Sequence, residues 1–116
     1  GKRLGPAEIE SAIAEHPLVV MSAAIAVPDQ VKGQTIAVYV VAKERSQELA
    51  SELSDMVAGT IGKPFRPKHV IFLDDLPRTR SAKIMRRVVK ALALGEDPGD
   101  LTSLENPASL EGIFEL

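Results

Sequence analysis

The chain contains no cysteine and no tryptophan. Without cysteine there is no disulfide, no thiol nucleophile and no thiolate metal site, and the usage is that of a reducing, cytoplasmic setting. The two histidines, His16 and His69, stand far apart and each lacks a paired ligand, so no metal site is expected. One tyrosine and three phenylalanines are too few for the stacking platforms on which single-stranded nucleic acid binding relies. No stretch approaches the roughly 18 apolar residues of a membrane span, and no charged-then-apolar leader opens the chain. A glycine-rich phosphate cradle is missing. No histidine is placed to activate Ser81, which removes the readiest route to nucleophilic catalysis. The expectation is a metal-free protein with neither a nucleic acid nor a membrane as partner.

What is present suits one globular domain: 116 residues, 45% hydrophobic and 26% charged. Residues 1–116 read as a single domain in which 96–116 form an acidic tail. The opening Gly1-Lys2-Arg3-Leu4-Gly5-Pro6 has no methionine and runs at once into a helix signal, the mark of a piece of a longer chain. Charge is distributed unevenly. Nine basic residues (Lys63, Arg66, Lys68, Arg78, Arg80, Lys83, Arg86, Arg87 and Lys90) face only Asp74 and Asp75 within their segment, whereas the rest carries five basic and 14 acidic residues. A local excess of this size attracts an anion or an acidic protein face, unless it is simply a solvated helix face.

Gly5-Pro6 starts a first helix, with proline where its missing N–H costs nothing, Ile9, Ala12 and Ile13 as its apolar stripe, and His16-Pro17 as its stop. Leu18–Val27, apolar almost throughout, reads as a strand buried on both faces. The turn-rich Pro28–Gln34 joins it to a second strand, Thr35–Lys43, and so short a link predicts antiparallel pairing. Ser46 caps a second helix carrying Leu49, Leu53, Met56, Val57 and Ile61, which Gly62 and Pro64 close. His69–Asp74 is a third strand and Asp75–Lys83 a loop. Ile84, Met85, Val88, Val89 and Leu92 then recur at helical spacing up to Gly95, and one short helix is expected near Leu110. The order αββαβα plus a tail predicts an α+β fold, a small three-stranded sheet packed with helices.

The most suggestive chemistry lies at Arg78-Thr79-Arg80-Ser81-Ala82-Lys83. A helix N-terminus flanked by arginines and a lysine offers free N–H groups and positive charge to an anion, and the lysine can clamp a transferring phosphoryl or acyl-phosphate group. Asp74-Asp75 suits a capping or hinge role better than paired acid–base catalysis, because neighbouring strand-end residues point apart. His16 and His69 read as structural. Taken alone, these residues describe an anion-facing lysine loop that completes a site on another domain.

Leu76-Pro77-Arg78-Thr79-Arg80-Ser81-Ala82-Lys83-Ile84-Met85-Arg86-Arg87 closely resembles the Leu-Pro-Lys-Thr-Arg-Ser-Gly-Lys-Ile-Met-Arg-Arg motif in the C-terminal domain of AMP-forming acyl-CoA synthetases. The resemblance extends to Gly1–Glu10, similar to the hinge-proximal motif of that family, to Val27-Pro28-Asp29 with Lys32-Gly33, and to Gly99–Pro107, similar to the tail of acetyl-CoA synthetases. It implies a two-step ligase that uses ATP and CoA as substrates, with Mg2+ arriving through the nucleotide. Lys83 would be the catalytic lysine of adenylation. Gly1 and Arg3 would meet CoA for thioesterification after the domain rotates against an N-terminal adenylation domain of the same chain. It further implies that Lys83 is open to acetylation by a protein lysine acetyltransferase, and that the fragment alone is inactive. There are two departures within the chain. Ala82 replaces the motif's glycine, and Ala58 sits where acetyl-CoA synthetases often carry an arginine for the CoA phosphate, which leaves Arg66, Lys68 or another residue for that role. An acetyltransferase-recognised regulatory module and a stand-alone anion or nucleic-acid binder remain the alternative readings.

Overall fold

A computed structural model describes residues 5–116. The expected order is found: α1 (Pro6–Ala14), β1 (Val19–Asp29), β2 (Gly33–Ala42), α2 (Gln47–Thr60), β3 (His69–Phe72) and α3 (Arg86–Ala93), with short 3-10 turns at Lys63–Phe65 and Pro107–Gly112. The sheet has the order β1-β2-β3; β1 and β2 are antiparallel, and β3 runs parallel to β2. A parallel neighbour needs a crossover, which α2 supplies. No helix among the described residues is long and apolar enough to cross a membrane.

Local chemistry sets the element ends. Gly5 precedes α1, Pro6 opens it, and the Glu8 carboxylate accepts the Gly5 N–H at 2.8 Å. Beyond the helix, His16 Nδ1 accepts the Leu18 N–H at 3.1 Å while Nε2 meets Glu52 of α2 at 2.7 Å, so this histidine locks a turn and joins two helices. Ser46 caps α2 by accepting the Leu49 N–H at 3.0 Å. The hairpin is tighter than its composition suggests. Pro28 pairs with Gln34 and Asp29 with Gly33, which leaves only Gln30–Lys32 to turn, and Gly33 takes φ 84°, a conformation that suits glycine. The Asp29 carboxylate accepts the N–H groups of Val31 and Lys32 and binds Lys68 Nζ at 2.7 Å, tying the hairpin to the start of β3.

Because side chains alternate across a strand, the buried run in β1 serves two cores. Ala24, with Val38 and Val40 of β2, packs under Ile9 and Ile13 of α1 and Leu49, Leu53 and Val57 of α2. Ala23, Ile25 and Val27, with Ala37 and Tyr39, pack on the opposite face against Leu73, Leu76, Val89, Ala93 and Ile113. Each large aliphatic side chain so buried contributes about 2 kcal/mol. β3 is shorter than expected, ending at Phe72. α3 begins at Arg86, later than the apolar stripe suggests, because Ile84 bridges Arg78 and the Met85 N–H goes to the Pro77 carbonyl.

Candidate functional site

Lys83 lies at the end of a closed loop. The Thr79 N–H donates to the Lys83 carbonyl at 2.9 Å and the Ala82 N–H to the Thr79 carbonyl at 2.9 Å, while the Lys83 N–H reaches Thr79 Oγ1 at 3.2 Å. Closing so small a ring puts Ala82 at φ 68°, the only non-glycine positive φ among the described residues. The alanine thus holds a conformation that its Cβ disfavours by about 1 kcal/mol. Leu76 and Pro77 are fully buried beneath the loop and Ile84 packs against the same core, so both stems are pinned while Arg80–Lys83 stay exposed.

The helix N-terminus expected beside Lys83 lies three residues further on, so the loop and the helix do not make one anion cradle. The basic excess is likewise dispersed. Arg66 pairs with Asp55, Lys68 with Asp29, Arg78 with Asp75, Arg80 with Glu105 and Arg86 with Glu10. Arg87 donates to the carbonyls of Pro98 and Asp100. Distant acidic residues therefore balance much of what the local count left uncompensated. Lys83 makes no ion pair among the described residues. It borders an open polar cleft of about 520 Å³ with Thr79, Arg80, Ser81, Thr102 and Ser103.

Below the loop the acidic tail returns. Asn106 donates from Nδ2 to Asp75 Oδ2 at 2.8 Å and to the Leu76 carbonyl at 2.7 Å, and accepts the Arg78 N–H at 2.9 Å. Burial pushes the Asp75 carboxyl up, but the Asn106 amide, the Leu76 N–H and Arg78 outweigh it and hold the pKa below the usual carboxylate value. Asp75 accepts from the Leu76 N–H, Arg78 and Asn106 within irregular chain and caps no helix; Asp74 is exposed and pairs with Arg45. On the other side, Glu10 of α1 grips Arg86 (Nε to Oε2, 2.6 Å) and also accepts the Ala24 N–H at 2.8 Å. This bond raises the Arg86 pKa above its already high ordinary value.

Gly1 and Arg3 lie outside the described residues. Arg66 and Lys68, the alternatives for a CoA phosphate, border a larger groove of about 890 Å³ between α2 and β3, and both are engaged in ion pairs there. Tyr39 is buried, and Phe65 and Phe72 pack against the α1–α2 core, so Phe114 is the one well-exposed aromatic side chain among the described residues. No three His, Asp or Glu side chains among the described residues converge as metal ligands. Sequence reasoning did not single out Asn106 or Glu10 as site residues. Their partners lie 31 and 76 residues away, and no local pattern links them.

The sequence family described as AMP-binding enzyme C-terminal domain matches residues 8–83. The chain belongs to that family. This C-terminal domain is 46% identical over 116 residues to acetyl-coenzyme A synthetase of Methanothrix soehngenii, an alignment covering 97% of the chain and 17% of the relative. It is 45% identical over 114 residues to 3-hydroxypropionyl-coenzyme A synthetase of Metallosphaera sedula, covering 96% and 17%. A crystal structure of an acyl-CoA synthetase from Brucella canis superposes with TM-score 0.68 and 35% identity over 74% of this chain and 16% of that one. The domain thus spans about a sixth of the length of the curated relatives it matches. The family match stops at Lys83, whereas the acetyl-coenzyme A synthetase alignment takes in nearly the whole chain.

Proposed function

We propose that this domain is the C-terminal part of a longer AMP-forming ligase for acetate or another short-chain carboxylate, and that Lys83 acts in its adenylation step. The supporting observation is a lysine without an ion-pair partner among the described residues, exposed on a loop whose stems are buried and hydrogen-bonded. In adenylation a carboxylate oxygen attacks the α-phosphate of ATP and pyrophosphate leaves. Two anions must approach, and a fixed ammonium between them stabilises the charge that develops. The CoA thiol then displaces AMP to give the thioester. In this reading the domain rotates between the two steps, turning Lys83 away and bringing Gly1 and Arg3 to the CoA site of the N-terminal adenylation domain.

Mg2+ accompanies the nucleotide in this scheme. The described residues offer it no ligand set of their own, and no step here runs through it. The relatives differ in the acyl group they are named for while aligning equally well, so chain-length selection belongs to the other domain. A cytoplasmic setting, where ATP and CoA are both held, suits the reaction. The exposed loop also suits acetylation of Lys83 by a protein lysine acetyltransferase, which would remove the charge that adenylation needs. Mass spectrometry after incubation with such an enzyme and acetyl-CoA should find Lys83 modified ahead of Lys32, Lys43 and Lys63.

The decisive test is Lys83→Ala in the longer protein. Carboxylate-dependent ATP–pyrophosphate exchange should fall on the order of 100-fold or more, while thioester formation from supplied acyl-adenylate stays near the unmodified rate. Arg3→Ala should show the reverse pattern. Equal loss of both half-reactions in the Lys83 variant would overturn its assignment.

A further inference from the structure

Strand β3 ends at Phe72, and beyond the buried Leu76 and Pro77 no ladder hydrogen bond of the sheet reaches the chain from Asp74 to Lys83. The tail supplies backbone pairing there. The Glu105 N–H donates to the Arg78 carbonyl at 2.9 Å, and Thr79 bridges Leu104 in antiparallel fashion, so residues 104–105 act as a substitute strand for the first stem of the loop. Asn106 supplies what that short pairing lacks. Its oxygen takes the Arg78 N–H, and its two amide hydrogens satisfy the Leu76 carbonyl and Asp75. The Arg78 N–H fixes which way the amide points, because only an oxygen can accept from it. Further along, Arg87 holds the carbonyls of Pro98 and Asp100, and Asp100 closes its own turn on Thr102 at 2.9 Å. Thr102 and Ser103 then stand across the cleft from Lys83.

Arg80–Lys83 are exposed and closed into a ring by their bonds to Thr79, so the ring is seated through its base at Arg78 and Thr79. We propose that the tail segment Leu104–Asn106 is a positioning element for adenylation, and that Asn106, paired with Asp75, is the residue through which it sets Lys83. This rests on the reading of Lys83 as the adenylation lysine. The family match ends at Lys83, and Asn106 lies outside it. Neither Asn106 nor Asp75 touches the reacting atoms. They act by keeping one ammonium where two anions meet, and a displacement of about 1 Å at such a point costs on the order of 100-fold in rate.

The test uses the longer protein and both half-reactions. Asn106→Ala leaves the Arg78 N–H and the Leu76 carbonyl unpaired, and ATP–pyrophosphate exchange should fall by about tenfold to 100-fold. The loss should lie in kcat with KM for ATP nearly constant, and thioester formation from acyl-adenylate should stay within about twofold. Asn106→Asp should be at least as poor, because it removes both donors and sets a second carboxylate against Asp75. The double variant Asn106→Asp/Asp75→Asn restores the pair with its donor reversed but leaves the Leu76 carbonyl without its donor, and should recover part of the lost exchange even where the single variant folds badly. A purely structural role would lower both half-reactions together with Tm and give no rescue. That result, or normal exchange in Asn106→Ala beside a dead Lys83→Ala, overturns the proposal alone. Normal exchange in Lys83→Ala overturns the underlying reading, and the proposal with it.

Discussion

The two faces of the sheet are built by different means. On one, α1 and α2 lay regular apolar stripes over Ala24, Val38 and Val40, and the buried residues of the cluster are all aliphatic. On the other, a helix of eight residues shares the cover with irregular segments, and polar ties from Asp75, Arg78, Arg87 and Asn106 hold those segments in place. The first face resists change because its energy comes from burial, which many side chains share. The second is buried as well, but its irregular segments depend in addition on a few directional bonds, each of which places a particular atom. The site lies on the second face, where a small change in bonding moves a functional group without unmaking the fold.

That contrast can be broken from either side. Leu53→Ala, at a fully buried position of the helical face, should cost about 3 kcal/mol in urea unfolding and leave no local signature at the loop. Glu10→Ala removes the clasp between the two faces, unpairing Arg86 and the Ala24 N–H. It should cost about 2 kcal/mol and raise hydrogen exchange at both Ala24 and the start of α3. Acid tests the hairpin. The bond from Lys68 and the N–H of Lys32 lower the Asp29 pKa to about 2, below the unfolded value of about 3.9. A depressed carboxyl contributes stability that is complete above the unfolded pKa and is lost as pH falls toward 2. Urea midpoints should therefore drop between about pH 4 and 2, and Asp29→Asn should flatten that limb.

Two smaller effects sharpen the comparison on the irregular face. Ala82→Gly relieves a positive φ and should raise stability by about 1 kcal/mol, since the native conformation there favours glycine. The Tyr39 hydroxyl is buried without a partner among the described residues, and its burial pushes the phenol pKa up. Tyr39→Phe should therefore stabilise by about 0.5 kcal/mol. A loss in Tyr39→Phe would mean that a hidden partner had been removed, and a loss in Ala82→Gly that the freedom of glycine in the unfolded chain outweighs the relief of strain.

Legibility in the sequence follows the same division. Helices α1 and α2 could be read because their buried residues repeat every three or four positions, and the strands because both faces of β1 are covered. The hairpin ends were misjudged because Pro28, Asp29 and Gln34 have turn composition yet pair within the ladder. The start of α3 was misjudged for the opposite reason: Ile84 and Met85 carry helical spacing, but their backbones serve the loop. Lys83 was visible from its motif. Its support was not, because a hydrogen bond between Asp75 and Asn106 leaves no periodic trace, and opposite charges such as Glu10 and Arg86 find each other only in the folded chain.

The dependence of Arg78 on Asn106 also has a consequence in time. A ribosome delivers Lys83 well before it delivers Asn106; at about 5–20 residues per second the interval is on the order of one to five seconds. Through that interval the helical face and the hairpin already have every residue they need, while the lysine loop still lacks its base. The base of the lysine loop is therefore complete only once Asn106 has been made. A product cut short before Asn106 would keep the core under α1 and α2, lose Ile113 from the opposite core, and lose the bonds at the base of the lysine loop.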